Sequence, residues 1–110
     1  MEINVKSIGQ VTVVEISGDI DSNTAPQAQE QILPMVQPGS KVLLDMNRVE
    51  YMSSAGLRML LSTYRQISRG NGDIVLVGLS EEIKDTMSVT GFLNFFVNCD
   101  TVDEGLQALA

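Results

Sequence analysis

The sequence predicts an α/β fold: one domain with a four- or five-stranded mixed sheet flanked by about four helices. Two apolar runs, Lys41–Met46 and Ile74–Val77, lack the alternation of a half-exposed strand, which is typical of central parallel strands covered on both faces. Between them, residues 55–69 carry apolar side chains at three- and four-residue steps, as an amphipathic helix does. A strand, a helix and a strand in this order predict a right-handed crossover. With 110 residues, 44% of them hydrophobic, the chain can form one core, and we assign residues 1–110 to one domain.

The first third of the chain predicts a hairpin followed by a helix. Apolar and polar residues alternate around a Gly9-Gln10 turn, which favours two antiparallel strands. Gly18–Asp21 breaks the strand pattern, Ser22 to Thr24 then offer helix-capping side chains, and Pro26 is tolerated in a first helical turn. We expect this helix to start near Thr24 and to bend or end at Pro34.

The last third predicts two further helices. Ser80 can cap a helix that ends near Gly91, and Thr101 to Glu104 match a capping box before a short C-terminal helix. Three phenylalanines lie within residues 92–96, where we expect a short strand or turn that packs against the end of the sheet.

Composition argues against several classes of function. The net charge of −7 repels nucleic acid and anionic lipid surfaces, and no apolar run approaches the roughly 20 residues of a membrane helix. The chain has no histidine, which removes the commonest general base, and its single cysteine excludes an intramolecular disulfide. We therefore expect a cytoplasmic protein that is not an enzyme and needs no cofactor, metal or small-molecule substrate.

The most informative stretch is the serine pair Ser53-Ser54, which lies where a buried strand gives way to the best helix of the chain. The first turn of a helix has unpaired N–H groups and a partial positive charge, so a serine there can cap the helix or carry a phosphate. A cap alone would contribute about 1 kcal/mol. Spacing alone favours the cap, but the two consecutive hydroxyls, the small Ala55 and Gly56, and the rigid apolar strand leave both interpretations of Ser54 open.

Other chemistries fit this stretch less well. A hydrolase elbow, Gly-x-Ser-x-Gly, needs a glycine where Met52 stands, and a serine nucleophile lacks an activating histidine here. Asp19, Asp21 and Asp45 could converge on a hard cation, but they lack the regular spacing of a calcium loop. We prefer turn-forming or partner-facing roles for these carboxylates.

The order of elements and four segments resemble the STAS domain of bacterial anti-sigma-factor antagonists over nearly the whole chain. The segments are Gly18–Asp21, Val42–Met46, Val49–Leu57 and Met87–Phe92. The resemblance implies an anti-sigma factor that is also a serine kinase as the partner, and a phosphatase that removes the phosphate. It makes Ser54 the phosphoacceptor, with Ser53 as a secondary candidate.

Two positions depart from the pattern of this family. Ser53 stands where an aspartate commonly precedes the acceptor, and Arg58 stands where a small residue is common. Arg58 lies one helical turn after Ser54, so we expect its guanidinium to reach a phosphate or an acidic partner residue, unless it is simply a solvated arginine.

The resemblance also predicts a partner-binding surface around the serines, which extends to Met87–Phe92. Met52 is the methionine that we expect to be exposed. The predicted contact residues are Asp19, Asp21, Ser22, Asn23, Thr24, Met52, Ser53, Ala55, Gly56, Leu57 and Arg58. The alternative is a noncatalytic STAS scaffold without a phosphoserine switch.

Overall fold

The computed structural model describes residues 1–110 as a five-stranded sheet with four α-helices, which confirms the predicted fold class. The strands are β1 (Glu2–Ile8), β2 (Val11–Ser17), β3 (Lys41–Arg48), β4 (Asp73–Val77) and β5 (Val97–Cys99). The helices are α1 (Ala25–Ile32), α2 (Ser54–Arg69), α3 (Glu81–Val89) and α4 (Val102–Leu109). Two short 3₁₀ helices span Leu33–Met35 and Phe92–Phe95.

The sheet is mixed, with its strands in sequence order. β1 pairs antiparallel with β2 through the tight turn at Gly9-Gln10, and β2, β3, β4 and β5 run parallel. Parallel neighbours need crossover connections, which α1, α2 and α3 provide. The carboxyl ends of the parallel strands therefore meet at one edge, where the loops before these three helices begin. No helix is long and apolar enough to cross a bilayer.

The two faces of the sheet are covered unequally. Helices α1, α2 and α3 pack with one face in a cluster of 21 buried residues that includes Ile16, Leu44 and Leu60. The opposite face forms a cluster of six with Leu109 of α4. A Cβ at Gly105 would lie 2.8 Å from the side chains of Leu43 and Val77, so this glycine lets α4 approach the sheet closely.

Proline and phenylalanine shape the two irregular segments. α1 ends at Ile32, and Pro34 lies within the following 3₁₀ turn, as the missing N–H of proline requires. The phenylalanine segment forms a 3₁₀ turn before β5. Phe96 is buried and meets the Tyr64 ring edge-on at a centroid distance of 5.4 Å, which ties this segment to α2.

Candidate functional site at the start of helix α2

Two loops are joined at the carboxyl edge of the sheet. The Ile20 N–H donates to the carbonyl oxygen of Tyr51 at 3.0 Å, and the Ser53 N–H donates to that of Ile20 at 2.8 Å. These bonds form a parallel bridge between Ile20 and Met52. The segment before α2 is therefore held by the segment before α1, and the serines occupy a fixed position.

Ser53, and not Ser54, caps helix α2. Its backbone is extended (φ −78°, ψ 176°), and its Oγ accepts a hydrogen bond from the Gly56 N–H at 3.4 Å. Its carbonyl accepts the Leu57 N–H at 3.0 Å, the first bond of the helix. The interpretation of Ser54 as the cap is wrong, because the helix begins one residue earlier than its apolar pattern indicated.

Ser54 is the first residue of α2, and it is exposed. Its hydroxyl makes no hydrogen bond within the chain, and the N–H groups of Ser54 and Ala55 have no protein acceptor. The first turn of α2 contains no acidic residue. The start of this helix thus combines a free hydroxyl, free N–H groups and an uncompensated partial positive charge.

Three residues predicted to touch a partner lie in the core instead. Met52 and Leu57 are 8% and 5% exposed, and Gly56 is buried. A Cβ at Gly56 would lie 2.5 Å from the Met52 Cγ and 3.0 Å from the Ile20 carbonyl oxygen. The expectation of an exposed Met52 is wrong, because the bridge to Ile20 turns its side chain inward. Met52, Gly56 and Leu57 therefore form the buried side of the segment that carries Ser53 and Ser54.

The loop before α1 is organised by Asp21. Its Oδ1 accepts hydrogen bonds from the N–H groups of Asn23 at 2.9 Å and Thr24 at 3.0 Å. Thr24 Oγ1 accepts the Asp21 N–H at 2.8 Å and donates to the Asp19 carbonyl, also at 2.8 Å. The N–H groups of Thr24 and then Asn23 lower the pKa of Asp21, because they stabilise its charged form. Ser22 and Asn23, also predicted as contact residues, are exposed at the tip of this loop.

The carboxylates near this edge do not form a cation site. The structure contains no group of three or more acidic, cysteine or histidine side chains that could hold a metal ion. Asp45 Oδ1 instead accepts from the side-chain amide of Asn47 at 2.7 Å, and Asp21 is occupied by its own loop. Asp19, Asp21 and Asp45 therefore do not form a group that could hold a cation.

Arg58 lies beside Ser54 at the rim of a groove between α1 and α2. The groove has a volume of about 310 Å³, and its lining includes Ser22, Ala55 and Arg58. Arg58 is exposed and makes no ion pair within the chain. Its guanidinium is available to a group outside the domain or to a modified Ser54.

Sequence reasoning missed the cleft on the other side of the serines. Tyr51 is 54% exposed and borders a cleft of about 600 Å³ that is also lined by Asp19, Glu50, Glu81 and Glu82. The strand order could have predicted this cleft, because parallel strands bring the loop after β3 and the start of α3 to the same edge of the sheet. In the predicted Met87–Phe92 extension, Met87 is fully buried, whereas Val89 is 88% exposed.

Comparison with known proteins places this chain in a family. The family model described as STAS domain matches residues 2–105. BtrV of Bordetella bronchiseptica is 30% identical over 97 residues, which cover 87% of this chain and 84% of that protein. The anti-sigma-B factor antagonist of Bacillus subtilis is 28% identical over 105 residues, or 96% of this chain and 95% of that one.

Solved structures agree in fold. The crystal structure of an anti-sigma factor antagonist from Mycobacterium paratuberculosis superposes with a TM-score of 0.83 at 29% identity, and the match covers 98% of this chain and 92% of that one. A family model that spans almost every element, together with relatives matched over nearly their full length, leaves one assignment: the chain belongs to the STAS domain family.

Proposed function

We propose that this protein is an anti-sigma-factor antagonist that binds an anti-sigma factor with serine kinase activity when unmodified, and releases it when Ser54 is phosphorylated. The observation that carries the proposal is the exposed, unbonded hydroxyl of Ser54 at the first residue of α2. The Bacillus subtilis relative, named an anti-sigma-B factor antagonist, supports the choice of partner.

The geometry favours Ser54 over Ser53 as the acceptor. Ser53 is half-buried, and its Oγ is already an acceptor for the Gly56 N–H. A phosphate on Ser53 would disrupt this cap, whereas one on Ser54 would leave the first helical bonds intact. Ser53 therefore acts as the residue that positions Ser54.

The fold should tolerate a phosphate at Ser54. A phosphoserine carries about −1.5 to −2 charges at neutral pH, and here it would meet unpaired N–H groups at the positive end of a helix dipole. Arg58, one turn further along, offers a guanidinium of opposite charge. The phosphate should therefore change which partner proteins bind without unfolding the domain.

A docked partner, in contrast, should not tolerate the phosphate. Added bulk and charge where a hydroxyl had been buried cost about 2–5 kcal/mol in a desolvated contact, a loss of 30-fold or more in affinity. The contact surface then consists of the exposed residues around Ser54 and the half-buried Ala55: Asp19, Ser22, Asn23, Ala55 and Arg58, together with Tyr51. The protein works as a substrate and a ligand in the cytoplasm, and a phosphatase resets it.

Phosphosite mapping tests this proposal. The chain is incubated with ATP and a serine-kinase anti-sigma factor from its own organism, and the phosphate is located by tandem mass spectrometry. We expect one phosphate on Ser54, its loss in Ser54→Ala, and its retention in Ser53→Ala. Phosphate on Ser53 alone would contradict the assignment, and no phosphate on either serine would favour the noncatalytic scaffold.

A further inference from the structure

The longer free edge of the sheet is strand β1, and its sequence is complementary to itself. β1 spans seven residues and has a partner on one side only, whereas the opposite edge strand, β5, has three residues. Free edges present unpaired N–H and C=O groups that can pair with another chain. We propose that β1 pairs antiparallel with β1 of a second copy of this protein.

Hairpin geometry identifies the backbone groups that are free. The turn at Gly9-Gln10 has two residues, so the flanking pair Ile8 and Val11 exchanges hydrogen bonds and the bonded pairs alternate from there. Ile8, Lys6, Asn4 and Glu2 bond to β2. Ile3, Val5 and Ser7 therefore direct their N–H and C=O groups away from β2, toward the open edge.

One register uses these groups and also pairs the charges. When the two-fold axis passes through Asn4, Ile3 of each copy bonds with Val5 of the other. The same register places Glu2 of each copy directly opposite Lys6 of the other, and opposite charges stabilise a cross-strand pair. A two-fold axis through Val5 would instead set Lys6 opposite Asn4 and leave Glu2 opposite Ile8.

The side chains on this edge are available for such pairing. Glu2 and Asn4 are exposed, and Val5 is 44% exposed on the other face of the strand. Lys6 Nζ lies 3.7 Å from Glu15 Oε2 in its own chain, and 53% of the Lys6 side chain is exposed. In the paired state Lys6 would lie between Glu15 of its own chain and Glu2 of the other copy.

The resulting dimer would join two five-stranded sheets into one of ten strands. Each copy carries a net charge of −7, and edge pairing buries little area, so we expect a weak dimer that forms at high concentration. The pairing concerns a strand separate from Ser54, so it stands or falls independently of the proposed phosphorylation.

Sedimentation equilibrium of the full chain from about 10 μM to 1 mM, in about 150 mM salt that screens the net charge, tests this inference. We expect the average mass to rise above the monomer mass of 12.0 kDa with concentration.

Lys6→Glu and Glu2→Lys should each weaken the dimer about tenfold, because each replaces two attractive pairs with two repulsive ones. The double variant Glu2→Lys/Lys6→Glu should restore it, and so should a mixture of the two single variants.

The double variant distinguishes the proposed pairing between copies from the ion pair within the chain. It restores opposite charges between positions 2 and 6 of the two copies, but its glutamate at position 6 cannot form the ion pair with Glu15. Val5→Pro is a second control: it removes an N–H that faces the open edge and should abolish the dimer while far-ultraviolet circular dichroism stays unchanged. A monomer over the whole concentration range, or single-charge defects that the double variant leaves unrepaired, would overturn the inference. A dimer that survives Val5→Pro in a folded chain would overturn it as well.

Discussion

Helices α2 and α3 each begin with a serine cap of the same kind, but their first turns differ in charge. Ser53 Oγ accepts the Gly56 N–H at 3.4 Å, and Ser80 Oγ accepts the Ile83 N–H at 3.2 Å. The first turn of α3 contains Glu81 and Glu82, whereas that of α2 contains no acidic residue, although the chain has 14 acidic residues against seven basic ones. Helix α3 supplies its own negative charge at this end, whereas the first turn of α2 supplies none.

The largest effect should come from Gly56, which has no counterpart in α3. We expect Gly56→Ala to lower the free energy of unfolding by about 2–3 kcal/mol, because a Cβ would press on Met52 and on the Ile20 carbonyl. Urea unfolding measures the loss. Gly70→Ala is the matched control: φ is −90°, the nearest atom would be 3.4 Å away, and the change should stay within about 0.5 kcal/mol. Equal losses at both sites would contradict the close approach at Gly56.

The caps should have the next largest effect. Ser53→Ala and Ser80→Ala should each cost about 1 kcal/mol, since each removes the acceptor for one N–H of the first turn. Ser54→Ala should cost less than about 0.5 kcal/mol, because its hydroxyl bonds to nothing in the domain. Thermal unfolding of the three variants makes the comparison, and a Ser54→Ala loss as large as that of Ser53→Ala would mean that Ser54 is a structural residue.

Charge at the two ends of α2 gives a smaller effect with opposite signs. Ser54 and Ser68 are exposed serines in the first and last turns, and each has an arginine one turn away, Arg58 and Arg65. Both variants place a glutamate one turn from an arginine, so Ser54→Glu should be more stable than Ser68→Glu by about 1 kcal/mol, the sum of a favourable and an unfavourable dipole interaction of about 0.5 kcal/mol each. Chemical denaturation at low salt measures the difference. Equal stability would show that the start of α2 does not favour an added anion.

The smallest effect should be a pH dependence in the neighbouring loop before α1. The folded state lowers the pKa of Asp21 below its ordinary value of 3.8, so the carboxylate stabilises the fold above that pH, and the stabilisation is lost as the pH falls through the lowered pKa. Asp21→Asn should therefore be less stable than the parent near neutral pH and equal to it in strong acid. Asp19→Asn, at a side chain without a hydrogen bond, should lose less at neutral pH. A constant difference between Asp21→Asn and the parent from pH 7 to pH 2 would contradict the charged role.

Sequence patterns predicted the elements better than the site. Two-sided apolar strands, the period of α2 and the glycine and proline positions indicated the fold, because these features act locally or over the whole core. The orientation of Met52 depends on its bridge to Ile20, which joins segments 32 residues apart in the chain. No local pattern reports such a contact, so Met52, Gly56 and Leu57 were predicted at the surface and lie in the core. The helix cap is Ser53 and not Ser54, a difference of one residue that the sequence could not resolve, because apolar spacing locates a helix start only to within a residue or two.

We expect a phosphate on Ser54 to change partner binding while the domain stays folded. Isothermal titration calorimetry of the serine-kinase anti-sigma factor with the unmodified and the Ser54-phosphorylated chain tests it most directly. We predict that phosphorylation raises the dissociation constant by about 30-fold or more, because the phosphate costs at least about 2 kcal/mol at a desolvated contact. Equal affinity for the two forms, with the phosphate verified on Ser54, would contradict the account.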